Sequence, residues 1–462
     1  MKKIYLHTKR IHSSHTGVKN AGVRSGVRVY FDYAASTPVD PRVVKAMMPY
    51  YSGIFGNPGS LHKFGQEASA TVFKARNKIS KLINCDYREI IFTGSATESN
   101  NLAIRGIIKN FRQRSKEIPR IITSQIEHES ILETCRDLKK EGLAEVIYLP
   151  VSKGGIINLK KLKESLNERA VLVSIMYANN EIGSIQPISE VAKIIYSFKE
   201  EKRSFLKTAQ ASGQGGRPSD RASRGTSERA GWSERNGLKE ECFSSDLYPL
   251  FHSDAVQAFN YLDCDVKDLG VDLLTLSSQK IYGPKGVGLL YVKNFGSIVG
   301  EKFISPIITG GGQEEGLRSG TENISGVVGM AEATQIAFNQ RKKESQRLLK
   351  LQEYFIKQIK KIYPKVLLNG PAIGVERLPN NINIYFPSKK DLIFKLDFNG
   401  FAVSGGSACS ARLSKPSHVL KAMGYSDEKA SESIRISFGR QTNKREVDKL
   451  SIFLKKVRVM LR

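Results

Sequence analysis

The chain has 462 residues, of which 40% are hydrophobic and 25% are charged, the ordinary composition of a globular protein with a large core. No run of 18 apolar residues occurs, which excludes a transmembrane helix and predicts no membrane partner. The net charge of +27 would attract polyanions, but no compact basic and aromatic motif is present, so we do not expect direct nucleic-acid binding.

The amino-terminal residues 1–28 contain seven Lys or Arg and no Asp or Glu. They have no apolar core segment, which excludes a secretory signal and predicts a disordered basic extension of a bacterial, cytoplasmic protein. A mitochondrial or plastid transit peptide is the alternative, because such peptides are also basic and poor in acids. The five cysteines form no CxxC pair and no metal-ligand spacing, which indicates a reducing compartment and no metal site.

From residue 89 onward, apolar runs typical of strands alternate with helical patterns. Segment 89–93 is a predicted buried strand, followed by a turn and a helix. Further strands are predicted at 120–124, 145–151, 170–178, 249–254, 272–276 and 286–292. This alternation is typical of an α/β fold with a largely parallel sheet, which binds ligands at the carboxyl ends of its strands.

Two segments depart from this alternation. A stretch rich in Ser, Gly and Arg at about 201–246 follows a predicted helix at about 188–200, and we expect a disordered insertion there. After a long charged helix predicted at about 325–361, the pattern indicates a second, smaller α+β domain.

Candidate chemistry lies at the predicted strand ends. Lys280 follows an apolar strand, where partial desolvation would lower its pKa and allow a Schiff base with an aldehyde, although a surface lysine is the simpler interpretation. Asp254 ends another strand and is either a helix cap or the partner of a pyridinium nitrogen, with Gln257 three residues on as a hydrogen-bond donor. Hydroxyls and N–H groups in segment 93–100 are either simple caps or a phosphate cradle.

Three further residues have both a structural and a functional interpretation. His128 follows a strand and is either structural or able to stack on a cofactor and move protons. Cys409 lies in a loop of small residues, 404–411, that could carry a nucleophilic thiol. Arg435, like Arg440 nearby, could bind a carboxylate through two hydrogen bonds or form a surface ion pair.

Together and in this order, these motifs resemble the cysteine desulfurases of the NifS/IscS type, within the class V aminotransferase family of enzymes dependent on pyridoxal 5′-phosphate (PLP). The resemblance runs from about Val29 to Arg462 except for the insertion. The matching stretches are 30–38, 56–62, 96–101, 178–183, 252–257, 279–286, 310–321 and 404–409.

The resemblance implies a PLP-dependent transferase fold of type I. Its large domain would span 46–340, with a mostly parallel seven-stranded sheet, and its small α+β domain would join 29–45 to 341–462 and carry the cysteine loop at 404–412.

The resemblance also implies a role for each matching residue. PLP would be bound covalently by Lys280, while Asp254 would pair with its ring nitrogen, Gln257 with its ring oxygen, and His128 would stack on the ring and assist proton transfer. Its phosphate would be held by Ala96, Thr97, Ser277 and Gln279, and by Thr321 reaching the other subunit of a homodimer. The substrate carboxylate would be bound by Asn180 and Arg435, and the sulfur of L-cysteine would pass to Cys409 as a persulfide.

Two departures from the family pattern affect these expectations. Gln279 stands where the family commonly has His, and because Gln still donates a hydrogen bond, we expect PLP binding to be tuned rather than lost. The sequence reaches Arg462 soon after its last helix, whereas housekeeping members use a longer tail to dock an iron–sulfur scaffold. We therefore expect either an iron–sulfur scaffold or a tRNA-thiolation enzyme as the sulfur acceptor.

Other functions remain open from the sequence. A selenocysteine lyase would use the same residues, whereas a small amino acid aminotransferase would not need Cys409. A non-catalytic paralogue that binds RNA or protein is a third possibility, supported by Gln279 and opposed by the presence of Lys280 and Asp254.

Overall fold

The structure is a computed structural model, and it describes residues 28–212, 247–296, 303–389, 391–405 and 416–460. Its strands are β1 (Val29–Tyr30), β2 (Ile90–Thr93), β3 (Arg120–Ser124), β4 (Glu145–Leu149), β5 (Ala170–Ser174), β6 (Leu250–Asp254), β7 (Leu273–Ser277), β8 (Gly288–Val292), β9 (Leu367–Leu368), β10 (Asn381–Tyr385), β11 (Phe401–Ala402) and β12 (Ser433–Ser437). Its helices are α1 (Pro41–Met47), α2 (Pro49–Ser52), α3 (Lys63–Leu82), α4 (Ala96–Arg114), α5 (Glu129–Lys140), α6 (Leu159–Ser165), α7 (Ile188–Ser212), α8 (Val266–Leu269), α9 (Ile324–Ile362), α10 (Leu392–Phe398), α11 (His418–Ala422), α12 (Asp427–Ser431) and α13 (Lys444–Met460).

Seven strands form the central sheet, in the order β2-β8-β7-β6-β5-β3-β4. The pairs from β7 through β6, β5 and β3 to β4 are parallel, and β8 runs antiparallel to both of its neighbours. The α/β fold with a mostly parallel seven-stranded sheet is thus confirmed. The carboxyl ends of β3, β5, β6 and β7 meet at one edge, where such sheets bind ligands.

Helices cover both faces of this sheet because its strands are apolar on both sides. In β2, Ile90 and Phe92 belong to one buried cluster with α3 and α9, whereas Ile91 belongs to another with α4 and α5. Alternate strand residues point to opposite faces, which explains this division. Burial of each such side chain contributes about 1.5–3 kcal/mol, so the two layers hold the strand ends in place.

A second unit of structure follows α9. Strands β12, β10 and β9 form an antiparallel three-stranded sheet, and β1 pairs in parallel with β11. Helix α9 is continuous across the predicted domain boundary at 340/341: Met330 packs in the cluster of the central sheet, and Phe355 packs in the cluster of the second sheet. The division into two domains remains a prediction.

The structure corrects the predicted start of the insertion. Residues 201–212 continue α7, and only 213–246 of the predicted insertion lie outside the described residues. The predicted extension lies outside the described residues except for Arg28, and so does segment 406–412 of the predicted cysteine loop, with Cys409.

Three cysteines in the described part of the chain are free thiols, namely Cys85, Cys135 and Cys264. Burial raises the pKa of Cys135 and of Cys264 to about 12, and it raises the pKa of Cys85 further. Thiols with such pKa values are poor nucleophiles near neutral pH. None of the described helices is both long and apolar enough to cross a membrane.

Candidate active site at the carboxyl edge of the central sheet

Lys280 lies just beyond the end of β7, in a single 3-10 turn formed by Ser278–Lys280. Its Nζ donates hydrogen bonds to the carbonyl oxygens of Ala34, at 3.1 Å, and of Ala35. Gln257 Nε2 donates to the same oxygen of Ala34, at 3.0 Å. The structure thus brings the Lys280 amine and the Gln257 amide together at the carbonyl oxygen of Ala34.

Asp254 is the last residue of β6 and is 5% exposed. Its Oδ2 accepts a hydrogen bond of 2.9 Å from Asn100 Nδ2, and its Oδ1 accepts one of 3.0 Å from the N–H of Val256. Helix α4 and the chain after β6 therefore fix both carboxylate oxygens. A buried carboxylate so held can bind a protonated ring nitrogen.

His128 caps the amino terminus of α5 through its ring. Nδ1 lies 3.1 Å from the N–H of Ser130, which donates to it, and 2.9 Å from Ser130 Oγ. Burial lowers the pKa of His128; Asp254 opposes this shift, and Lys280 reinforces it. The predicted cluster of Lys280, Asp254 and His128 is therefore electrostatically connected.

The start of α4 forms the candidate phosphate cradle. Ser95 caps the helix through a hydrogen bond of 3.2 Å from the N–H of Glu98 to its Oγ. The N–H groups of Ala96 and Thr97 lie in the first turn of α4, where backbone N–H groups have no acceptor within their own helix. Thr97 is exposed. A helix start with exposed N–H groups attracts anions such as phosphate.

Gly288, the first residue of β8, lies between the end of β7 and the start of α4. It pairs with Ser277 on one side and with Thr93 on the other. A Cβ at position 288 would lie 2.4 Å from the carbonyl carbon of Ser95, so only glycine allows this approach. Ser277, which is buried, therefore lies next to the candidate cradle.

The remaining predicted phosphate ligands, Gln279 and Thr321, lie in different settings. Gln279 is half-buried, and its carbonyl oxygen accepts hydrogen bonds from the N–H and the hydroxyl of Thr37. Thr321 is exposed. It lies three residues after Arg318, which forms an ion pair of 2.8 Å with Glu98 in α4. An exposed Thr321 is available to a second subunit.

Arg435 and Asn180 meet, although through the backbone of Asn180. Arg435 Nη1 donates to the carbonyl oxygen of Asn180 at 3.1 Å, and Nη2 donates to Asp32 Oδ1 at 2.7 Å. The Arg435 side chain is 1% exposed, and its Nε has no hydrogen-bond partner among the described residues. Arg440 lies apart, bound to Asp40 and stacked on Tyr282, which favours a structural role.

Sequence reasoning missed several residues that hold this site. Asn100 and Ser130 connect Asp254 to His128, and Asp32 pairs with Arg435. Glu127, next to His128, is fully buried, and burial raises its pKa to about 8. Asn100 and Asp32 lay inside the matching motifs, but nothing in the sequence indicates which residues they contact.

The arrangement fits PLP by its donor set. An amine at Lys280, a buried carboxylate at Asp254 and a helix start at Ala96 match an aldehyde, a pyridinium nitrogen and a phosphate. The close approach that Gly288 allows supports the same interpretation, because it places the end of β7, just before Lys280, beside the start of α4.

Comparison with known proteins identifies relatives along nearly the whole chain. The family model Aminotransferase class-V matches residues 29–213 and 246–450, with the gap inside the predicted insertion. A cysteine desulfurase IscS of Dictyoglomus turgidum is 40% identical over 422 residues, which are 91% of this chain and 92% of that protein.

Solved structures agree with this comparison. A NifS-like protein superposes with a TM-score of 0.74 at 33% identity, covering 94% of this chain and 99% of that one. The protein SspA in complex with cysteine superposes with a TM-score of 0.68 at 31% identity, covering 89% of this chain and 99% of that one.

Proposed function

The chain belongs to the class-V aminotransferase family and is a cysteine desulfurase, and on this basis we propose that it uses PLP to convert L-cysteine to L-alanine and passes the sulfur to Cys409. The observation that carries the proposal is the convergence of Lys280, Asp254 and His128 at one edge of the sheet. PLP, when bound, supplies a pyridinium ring that withdraws electrons from the substrate.

The residues of this chain have separate roles around that ring. Lys280 supplies the amine that binds the aldehyde, and Asp254 keeps the ring nitrogen protonated. Gln257 has one amide hydrogen on Ala34 and a second for the ring oxygen. Since burial lowers the pKa of His128, its ring is neutral near pH 7 and can stack on the cofactor.

We propose that phosphate binding combines backbone and side-chain donors. Ala96 and Thr97 offer N–H groups at the start of α4, and Ser277 adds a hydroxyl from the end of β7. Gln279 adds an amide. Thr321 would complete the site from the partner subunit of a homodimer.

Substrate recognition would use Arg435 and Asn180. Arg435 is the buried guanidinium at this edge whose Nε has no partner within the described residues, and a carboxylate could accept from it. Asp32 already occupies Nη2, so the substrate carboxylate would share the guanidinium with Asp32.

Sulfur transfer would end on Cys409. Its thiolate attacks the sulfur of L-cysteine, an S–S bond forms and the C–S bond breaks. The electron pair of the broken bond stays with the carbon skeleton, which takes up a proton and leaves as L-alanine. Because the free thiols Cys85, Cys135 and Cys264 have raised pKa values, Cys409 is the better candidate.

The proposed partners are a second copy of the chain and a sulfur acceptor. The rings of Phe55 and Phe64 lie 5.9 Å apart and are 64% and 55% exposed, and Leu61 beside them is 91% exposed. Such an apolar surface supports a homodimer. The acceptor would be an iron–sulfur scaffold or a tRNA-thiolation enzyme. We propose a cytoplasmic location, in keeping with the low number of cysteines and with the free thiols of the three in the described residues.

The test is the visible absorption of the purified protein after addition of PLP. Wild-type protein should bind PLP covalently and turn yellow, and the Lys280→Ala variant should lose both the band and the covalent adduct seen by mass spectrometry. Lys285→Ala is the matched control, because Lys285 is an exposed lysine five residues along. Covalent PLP in Lys280→Ala would overturn the assignment.

A further inference from the structure

Two buried side chains connect the carboxylate of Asp254 to the ring of His128. Asn100 Nδ2 lies 2.9 Å from Asp254 Oδ2 and 2.9 Å from Ser130 Oγ. Ser130 Oγ in turn lies 2.9 Å from His128 Nδ1. Asn100 is 0% exposed and Ser130 is 9% exposed, so the protein alone orders this chain of hydrogen bonds.

Chemistry fixes the direction of these bonds. The carboxylate of Asp254 only accepts, so the amide nitrogen of Asn100 must face it. The second amide hydrogen then points to Ser130 Oγ, which accepts it and has its own hydrogen to donate to His128 Nδ1. The backbone N–H of Ser130 donates to the same Nδ1 at 3.1 Å and can never accept.

We propose that Asn100 and Ser130 are positioning residues of the desulfurase that hold His128 as the tautomer with its proton on Nε2 and tie its ring to the Asp254 carboxylate. The inference rests on the proposed function, in which this ring lies against PLP. The inference also restricts which proton transfers His128 can perform. A ring with Nε2–H donates a hydrogen bond there and cannot accept a proton at that atom. The ring could then give up its Nε2 proton but not take one up at that atom, so removal of a proton from the substrate would belong to the Lys280 amine.

Taken together, burial and the charged groups around His128 favour the neutral ring that this arrangement requires. Asp254 in β6 and Glu129 in α5 favour a charged ring, whereas burial, Lys280 and His418 in α11 disfavour it, and the pKa of His128 is lowered. A proton on Nδ1 would also face the N–H of Ser130. The hydrogen bonds and the burial therefore both favour the neutral ring.

The direct test is nuclear magnetic resonance of the full-length protein labelled with ¹⁵N in histidine, with and without PLP. His128→Gln identifies the signals of His128. We expect the wild-type protein to show a proton on Nε2 and none on Nδ1 at neutral pH. A proton on Nδ1 in the wild-type protein would overturn the proposal, whether or not the enzyme makes alanine.

Variants then separate positioning from folding. Ser130→Ala keeps the backbone N–H on Nδ1 and loses only the hydroxyl. It should therefore reduce the excess of the Nε2–H tautomer without reversing it, raise the pKa of His128 and lower kcat for alanine release about 2- to 13-fold, the effect of one hydrogen bond. Ser130→Thr should restore all three, because it keeps the hydroxyl. Ser451→Ala is the matched control, since Ser451 is buried to 7% exposure and its Oγ makes one hydrogen bond far from the site.

The outcomes distinguish this inference from the proposed function. If Ser130→Ala has the same tautomer, titration and kcat as wild type, Asn100 and Ser130 do not position His128. If the wild-type protein releases no alanine but shows the Nε2–H ring, the positioning holds and the proposed reaction fails.

Discussion

Gly288→Ala should damage the phosphate cradle by steric pressure alone. The new Cβ would lie 2.4 Å from the carbonyl carbon of Ser95 and 2.6 Å from its oxygen, where ordinary contact begins at 3.4 Å. The backbone that caps α4 must therefore move by about 1 Å. Such overpacking typically costs about 1–3 kcal/mol in the free energy of unfolding.

The same movement should weaken PLP binding. Ser95 sets the first turn of α4, and loss of one hydrogen bond to a charged phosphate corresponds to roughly a tenfold or greater loss of affinity. Urea unfolding measures the stability, and titration of the visible absorption with PLP measures the affinity. Gly154→Ala is the control, because a Cβ there meets its nearest atoms at 3.5 and 3.9 Å. Equal stability and PLP affinity for Gly288→Ala and wild type would refute the reasoning.

Two further predictions concern the core and the insertion. Burial raises the pKa of Glu127 from 4.5 to about 8, so the unfolded chain loses this proton first and the free energy of unfolding falls as the pH rises between those values. Glu127→Gln should make the free energy of unfolding, measured by urea at several pH values, less dependent on pH by up to about 1.4 kcal/mol per pH unit. An unchanged dependence on pH would contradict the assignment. Deletion of residues 214–245, which the family match omits, should leave alanine release intact, and loss of activity would show that the insertion is needed.

Much of the fold could be predicted because each strand of the central sheet is an apolar run between turn residues. Strand β3 spans the predicted residues, and α9 differs from its predicted bounds by one residue at each end. The end of α7 could not be predicted, because residues 201–212 offer few apolar positions. Their Ala, Lys, Glu and Gln residues are good helix formers, and this preference continues the helix to Ser212.

Several predicted site residues, among them Asp254, Ser277 and His128, lie at or just after the ends of strands that a parallel sheet brings to one edge. Their supporting contacts depend on packing between distant segments. Asn100 lies 154 residues from Asp254 along the chain, and Arg435 lies 403 residues from Asp32. No local pattern encodes such pairs, so the sequence predicted Arg435 as a carboxylate ligand without its existing partner Asp32.

The most direct test of the desulfurase assignment is the product balance of purified protein loaded with PLP and supplied with L-cysteine and a thiol reductant. The account predicts alanine and sulfide in equal amounts, and it predicts that Cys409→Ala keeps the bound PLP but loses sulfide release. Wild-type protein that holds PLP and forms no alanine from L-cysteine would contradict the account.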